Sequence, residues 1–412
     1  MSMFKRADIL LPVDVPMEGW AVIACDQFTS DELYWKRVRA RAGEKPSTVH
    51  MILPEAELGA SGEAEKIAAI NETMVQYLHD GVFETYPQSY IYVERKLQNG
   101  TVRPGLVGMV DLDAYDYKPG SVSPIRATEK TVLERIPPRQ RVRKDAVMEF
   151  PHVLMLCDDD KKCLIEPICA VKDELPLLYD FELMEDGGHI TGWLVQGAAA
   201  AAFDERFAAF AAAVPGKYTD LDGAPVVLAV GDGNHSLATA KSCYEAMKAE
   251  NPGKDLSNWR ARYALVELEN IHDESQAFEP IHRILFRVDA RKLRADLKKM
   301  EGKDGFPIQI VCNGQEETIV LDKCHGEMAV AILQPFLDQW LSENGGQIDY
   351  IHGDDELRRL ARQEGSVGFL LPPMEKQELF RGVIAGGVLP RKTFSMGHAR
   401  EKRYYLEGRM IK

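Results

Sequence analysis

Between Val226 and Glu250 the chain passes from five apolar residues, Val226 to Val230, through Gly231-Asp232-Gly233-Asn234 into helix-forming sequence from Leu237 onward. A short apolar run bounded by glycine reads as a buried strand, and a helix following within a few residues packs back onto the sheet. That passage restricts the chain to a fold mixing strands and helices. The rest of the sequence agrees. Ile67, Ile70, Met74, Tyr77 and Leu78 recur at helical spacing before Gly81, and Phe203, Phe207, Phe210 and Val214 do so before Pro215-Gly216. Ser89 to Lys96 alternates and leads through Asn99-Gly100 into the run around Leu106 to Leu112, a hairpin pattern that returns from Pro307 to Leu321 with Asn313-Gly314 at its turn. Helices are predicted around 291–300, 328–343 and 355–364, with strands around 262–268 and 367–371. Hairpins beside α/β alternation predict α+β or mixed α/β units over a regular doubly wound sheet.

At 412 residues the chain exceeds one ordinary core, and typical domains of roughly 100–200 residues predict two or three. The turns near Tyr115–Gly120 and Asn251-Pro252-Gly253 suggest an N-terminal α/β segment over 1–118, a central segment with the candidate site over 119–252, and a C-terminal α/β segment over 253–412. No internal repeat is visible, and no stretch reaches the length of about 20 apolar residues that a membrane span needs. The start, with its short apolar run, does not read as a signal peptide, so a cytoplasmic location is expected. The seven cysteines include no C-x-x-C pair; Cys157, Cys163 and Cys169 recur every six residues and read as buried or incidental thiols.

Lys plus Arg total 50 against 64 Asp plus Glu, a net charge of −14 that works against nucleic acid and anionic membrane as partners and favours a small molecule. A homo-oligomer is compatible with the sequence. Two basic islands interrupt the acidic background. One holds Arg126, Lys130, Arg135, Arg139, Arg141, Arg143 and Lys144; the other holds Arg391, Lys392, Arg400, Lys402, Arg403, Arg409 and Lys412.

The sequence carries no Walker A loop, G-x-G-x-x-G, G-x-S-x-G or H-E-x-x-H. Two segments remain. In Gly231 to Ser236, the glycines allow a tight turn and close backbone approach, and the first N–H groups of the following helix favour an anion. There Asp232 suits Mg²⁺ or a ligand hydroxyl and His235 suits a phosphate. The bland alternative has Asn234 or Ser236 capping the helix while Asp232 shapes the turn. In Ser123 to Thr131, a carboxylate among cations stays ionised, which makes Glu129 a candidate base or metal ligand with basic neighbours for phosphate. The alternative is a surface helix start capped by Thr128.

The order of several short pieces resembles domain-of-unknown-function family 1015, related to the ParB and sulfiredoxin-like superfamily that includes free-serine kinases. The pieces are Ala21 to Asp26, Tyr90 to Glu94, Glu129-Lys130-Thr131, the Asp232 turn, Glu279 to Arg283, and Leu389 to Phe394. The resemblance implies a ParB/sulfiredoxin-like core, within 119–252, elaborated by additional α/β segments. It implies Glu129 as base, with Asp232, Gly233 and His235 at phosphates or metal. Asn234 and Ser236 stand where the family motif has histidine and arginine, and Thr128 stands where a histidine often precedes the glutamate. Arg126, Lys130, Thr131, Lys392 and Thr393 join as looser phosphate contacts, with Asn234 and Ser236 lining the same turn. The implied activity is a nucleotide-dependent small-molecule kinase or phosphotransferase acting on a hydroxyl such as that of free serine. Mg²⁺ and a nucleoside di- or triphosphate are its implied cofactors. The alternative is a nucleotide- or metabolite-binding regulatory protein without turnover.

Overall fold

A computed structural model of the chain describes residues 2–29, 31–325, 328–390 and 392–412. Its elements form two compact units, one from Met1–Gln276 with Gly397–Lys412 and the other from Ala277–Met396. Positions 118 and 252 both fall inside the first unit. The reason is register: Tyr263–Asn270, beyond 252, pairs antiparallel with Val102–Asp111, from Tyr263 opposite Asp111 to Leu268 opposite Leu106. Mixed α/β architecture is present in both units.

In the first unit, eleven strands among the described residues form one mixed sheet. Its main path runs Leu177–Glu182, His189–Val195, Phe83–Lys96, Val102–Asp111, Tyr263–Asn270, Leu154–Cys157, Leu228–Asp232, Ile125–Ala127 and Tyr115–Asp116. The first five are mutually antiparallel, and the hairpin through Asn99-Gly100 lies among them with Lys96 opposite Val102. Tyr263–Asn270 is buried at every position, although it carries Glu267, Glu269 and Asn270. Helix Glu63–His79 buries Ile67, Ile70 and Met74, and helix Gly197–Ala213 buries Phe203 and Phe207 against Phe4. Both apolar stripes follow the helical spacing of the sequence.

The C-terminal segment is threaded into this unit by small pairings. Tyr404–Tyr405 pairs with Val22–Ile23, and Arg409–Met410 pairs with Met148–Glu149. Arg95, buried, donates to the carbonyls of Gly187 at 2.9 Å, Arg400 at 2.6 Å, Glu401 at 3.0 Å and Lys402 at 2.5 Å. Arg403 bridges Glu267 and Glu407, each at 2.7 Å. A buried carboxylate is tolerated when a guanidinium meets it, and here the tail supplies that guanidinium.

The second unit holds its own sheet, Gln315–Asp322, Gly305–Cys312, Val367–Leu370, Phe278–Phe286 and Gln347–His352, with Phe394–Met396 added beside Phe278–Phe286. Its hairpin turns at Asn313-Gly314, with φ of 51° and 76°, so both central residues are left-handed as a two-residue turn between twisted strands demands. Ile284, Val311, Ile351, Leu357, Ala361 and Leu370 form a core there. Among the described residues no helix is long and apolar enough to cross a membrane.

Candidate functional site

Ile125–Ala127 and Leu228–Asp232 are parallel neighbours, with Ala127 opposite Val230, so the segments that follow them leave the sheet at the same edge. Leu154–Cys157 flanks Leu228–Asp232 antiparallel, with Leu154 opposite Asp232, so His152 and Val153 reach that edge from the other direction. Three chain segments therefore meet where Asp232 ends its strand. A hydrogen bond ties the two segments picked out from the sequence: the Val132 N–H donates to His235 Nε2 at 3.2 Å. Thr128 anchors the first of them by donating its hydroxyl to the Val230 carbonyl at 2.6 Å. It does not cap a helix, since no helical turn begins beyond it until Leu133.

Gly233 makes the turn. Its φ is +81°, and a Cβ there would lie 3.1 Å from both Cα and Cγ2 of Val153 and 3.5 Å from His152 Cδ2. Only glycine combines that backbone conformation with that closeness. Gly233 also precedes helix Asn234–Glu250, whose N-terminus has no side-chain cap. Neither Asn234 nor Ser236 performs the capping role open to it from sequence. Among the described residues, Asn234 Oδ1 and Thr131 Oγ1 are buried with no hydrogen-bond partner, and Thr131 is only 5% exposed. Unmade bonds of buried polar atoms are costly, and these two leave hydrogen-bonding capacity near one open helix terminus.

Charge around the turn is mixed. Lys402 Nζ is 3.5 Å from Asp232 Oδ2. Asp26 Oδ2 is 3.9 Å from His152 Nε2, and His152 Nδ1 is 2.9 Å from the Tyr405 hydroxyl, which accepts the Cys25 N–H at 3.1 Å. Burial pushes the Asp26 carboxyl up, but His152, the Gln27 amide, Lys402 and Arg139 outweigh it and hold Asp26 below the usual range. His235 is lowered to about 4, first by burial and then by Arg139 and Arg135, so its ring is neutral and its Nε2 can accept from Val132. Burial and the Asp26 charge push the Cys25 thiol up to about 12, which removes it as a nucleophile.

The other sequence candidates divide by place. Glu129 is half-buried and Lys130 exposed, both on the segment leading to Val132. Arg126 lies on the neighbouring strand but spends its guanidinium on the carbonyls of Ser123 at 2.8 Å and Ala224 at 2.7 Å, both at the start of the strands and away from Asp232. Lys392 and Thr393 belong to the second unit, where Thr393 donates to the Pro390 carbonyl at 2.6 Å, and Arg391 lies outside the described residues. The basic islands are largely neutralised from within: Arg139 meets Glu55, Arg141 meets Glu63, Arg143 and Arg409 meet Glu149, and Arg403 meets Glu267. Sequence reasoning did not select Asp26, His152 or Lys402 for the site. The hints were that Asp26 ends one of the pieces carrying the resemblance and that Lys402 lies in the second basic island.

Solved structures to which the chain is similar include SbnI with a C-terminal truncation from Staphylococcus aureus, at 11% identity and a TM-score of 0.36 over 71% of this chain and 82% of that one. Free serine kinase in complex with AMP matches at 10% identity and a TM-score of 0.37, over 72% and 90%. A conserved hypothetical protein from Pyrococcus furiosus matches at 12% and 0.33, over 74% and 94%. None of the curated proteins compared with the chain matches it. The family described as protein of unknown function (DUF1015) matches residues 11–368. That match takes in the Asp26, Glu129, His152 and Asp232 positions and most of the chain, which therefore belongs to the DUF1015 family.

Proposed function

We propose that this protein is a nucleotide-dependent kinase or phosphotransferase that acts on the hydroxyl of a small molecule such as free serine. The observation that carries the reading is the bond from Val132 to His235, which joins the Glu129 segment to an uncapped helix N-terminus beside Asp232. A carboxylate, a second carboxylate and a set of backbone N–H groups at one sheet edge are what phosphoryl transfer asks of a protein. The strand-turn-helix passage around Asp232 is the heart of a ParB/sulfiredoxin-like core in this reading.

In the proposed reaction the acceptor hydroxyl oxygen attacks the terminal phosphorus of the nucleotide. The bond from that phosphorus to the bridging oxygen breaks, the shortened nucleotide leaves, and the hydroxyl proton passes to Glu129. The N–H groups of the first helical turn, with Thr131, meet phosphate oxygens. Mg²⁺ fits as a companion of the nucleotide: Asp232 offers one carboxylate, and among the described residues no three His, Cys, Asp or Glu side chains are grouped to hold a metal unaided. A cation that keeps phosphate and water ligands needs no more than one or two carboxylates. When bound it would neutralise phosphate charge.

The test is thermal melting with ATP, ADP and CTP, each with and without Mg²⁺, followed by product analysis with serine as acceptor. A Mg²⁺-dependent rise in melting temperature with phosphoserine formation supports the kinase. A rise without turnover on any hydroxyl acceptor replaces it with a regulatory binder, and an unmoved melting temperature removes the nucleotide altogether.

A further inference from the structure

We infer that Lys402, brought in by the C-terminal segment, is the phosphate-binding cation of this site, an assignment that rests on the nucleotide reading above. A lysine ordinarily holds its ammonium in water, yet the Lys402 side chain is only 12% exposed. Its backbone is fixed from both sides. Arg95 grips the carbonyls of Arg400, Glu401 and Lys402, and Arg403 is bound to Glu267, to Glu407 and to the Pro151 carbonyl, next to His152. The charge is therefore placed, not merely nearby.

Its partner is loosely held. At 3.5 Å the contact with Asp232 is longer than the roughly 2.7–2.9 Å of a charge-assisted hydrogen bond. An ammonium has three N–H donors, so it can keep one carboxylate and still meet an incoming oxygen. Two arginines of the first basic island are committed elsewhere, Arg139 to Glu55 and Arg126 to backbone carbonyls, while Arg135 acts on His235. The buried oxygens of Thr131 and Asn234, which have no hydrogen-bond partner, lie on the two segments that the Val132–His235 bond joins and offer further polar contacts to the same ligand. Asp232 would hold the cation that accompanies a nucleotide, and Lys402, which also faces the Asp26 charge, would meet phosphate oxygens with the N–H donors that the long Asp232 contact leaves available.

Isothermal titration with Mg²⁺ and ATP, ADP, CTP or pyrophosphate tests this on the full chain, comparing wild type with Lys402→Met, Lys402→Gln and Lys402→Arg. Loss of the ammonium is expected to weaken the tightest of these ligands by about 10–100-fold, the range for a charge-assisted contact, with Lys402→Arg recovering part of it. Melting without ligand should change little, because Asp232 is partly open to water. Wild-type affinity in both neutral variants overturns the Lys402 assignment and leaves the nucleotide reading standing. A folded wild type that binds none of the four compounds overturns both.

Discussion

Gly233 concentrates the conformational demand of the site in one residue. Gly233→Ala places a methyl group in a left-handed conformation and 3.1 Å from Val153, so a loss of about 1–3 kcal/mol is expected in denaturant unfolding. Stability equal to wild type would mean that the turn relaxes at no cost. Glu129 and Asp232 separate by the kind of loss they cause. Glu129→Gln keeps shape but removes the proposed proton acceptor, so turnover should fall by about 10²–10⁴-fold with nucleotide affinity near wild type. Asp232→Asn should weaken Mg²⁺-dependent binding as well. Titration calorimetry beside a phosphorylation assay tells them apart, and full turnover in Glu129→Gln would sink the base. His235 predicts a pH dependence. Free histidine titrates near 6.5, whereas His235 in the fold titrates at about 4, so between those values the unfolded chain binds a proton that the folded chain does not. Its contribution is complete above about 6.5 and is lost as pH falls toward 4. His50 and His282, also lowered by burial, act in the same direction, so the measurement is a comparison. His235→Gln should lose stability less steeply than wild type over that interval, and parallel curves would contradict the assignment.

Among elements, the strand Tyr263–Asn270 and the C-terminal segment depend on each other, because Glu267 is acceptable inside the sheet only while Arg403 meets it. Arg403→Met should cost about 3–5 kcal/mol by stranding Glu267 and Glu407, and the double change with Glu267→Gln should cost less than the sum of the singles. Additive losses would show that the two side chains act separately. This interdependence was not legible in the sequence. Periodicity reveals an element through its own residues, which is why helix Glu63–His79, the Asn313-Gly314 hairpin and the strand before Asp232 were readable. It does not reveal which distant charge answers a buried one. Arg126 was counted with the phosphate contacts because a run of cations looks alike whether it faces a ligand or its own backbone. Asp26, His152 and Lys402 meet only through pairings between strands far apart in the chain, so no spacing rule could gather them. Asp232 stood out because it ends a strand between two glycines, and Glu129 because cations surround it; parallel pairing then brings the segments beyond Ala127 and Val230 to one edge.

The molecule as a whole has one unit continuous in sequence and one assembled from two pieces. Residues 277–396 expressed alone should melt cooperatively on their own core, and removal of residues 397–412 from the full chain should abolish the melting of the first unit while sparing the second. Differential scanning calorimetry of both pieces would decide, and a truncated chain with two undiminished transitions would count against the division. The discontinuity also bears on how the protein is made. At about 5–20 residues per second, a ribosome spends on the order of ten seconds on Ala277–Met396 after the large sheet has emerged and before the tail that completes it. Throughout that interval the buried carboxylates of the sheet lack Arg403, and the site lacks Lys402. A chain halted before residue 397 thus holds its large sheet in an unfinished form that chaperones and proteases can tell from the closed one.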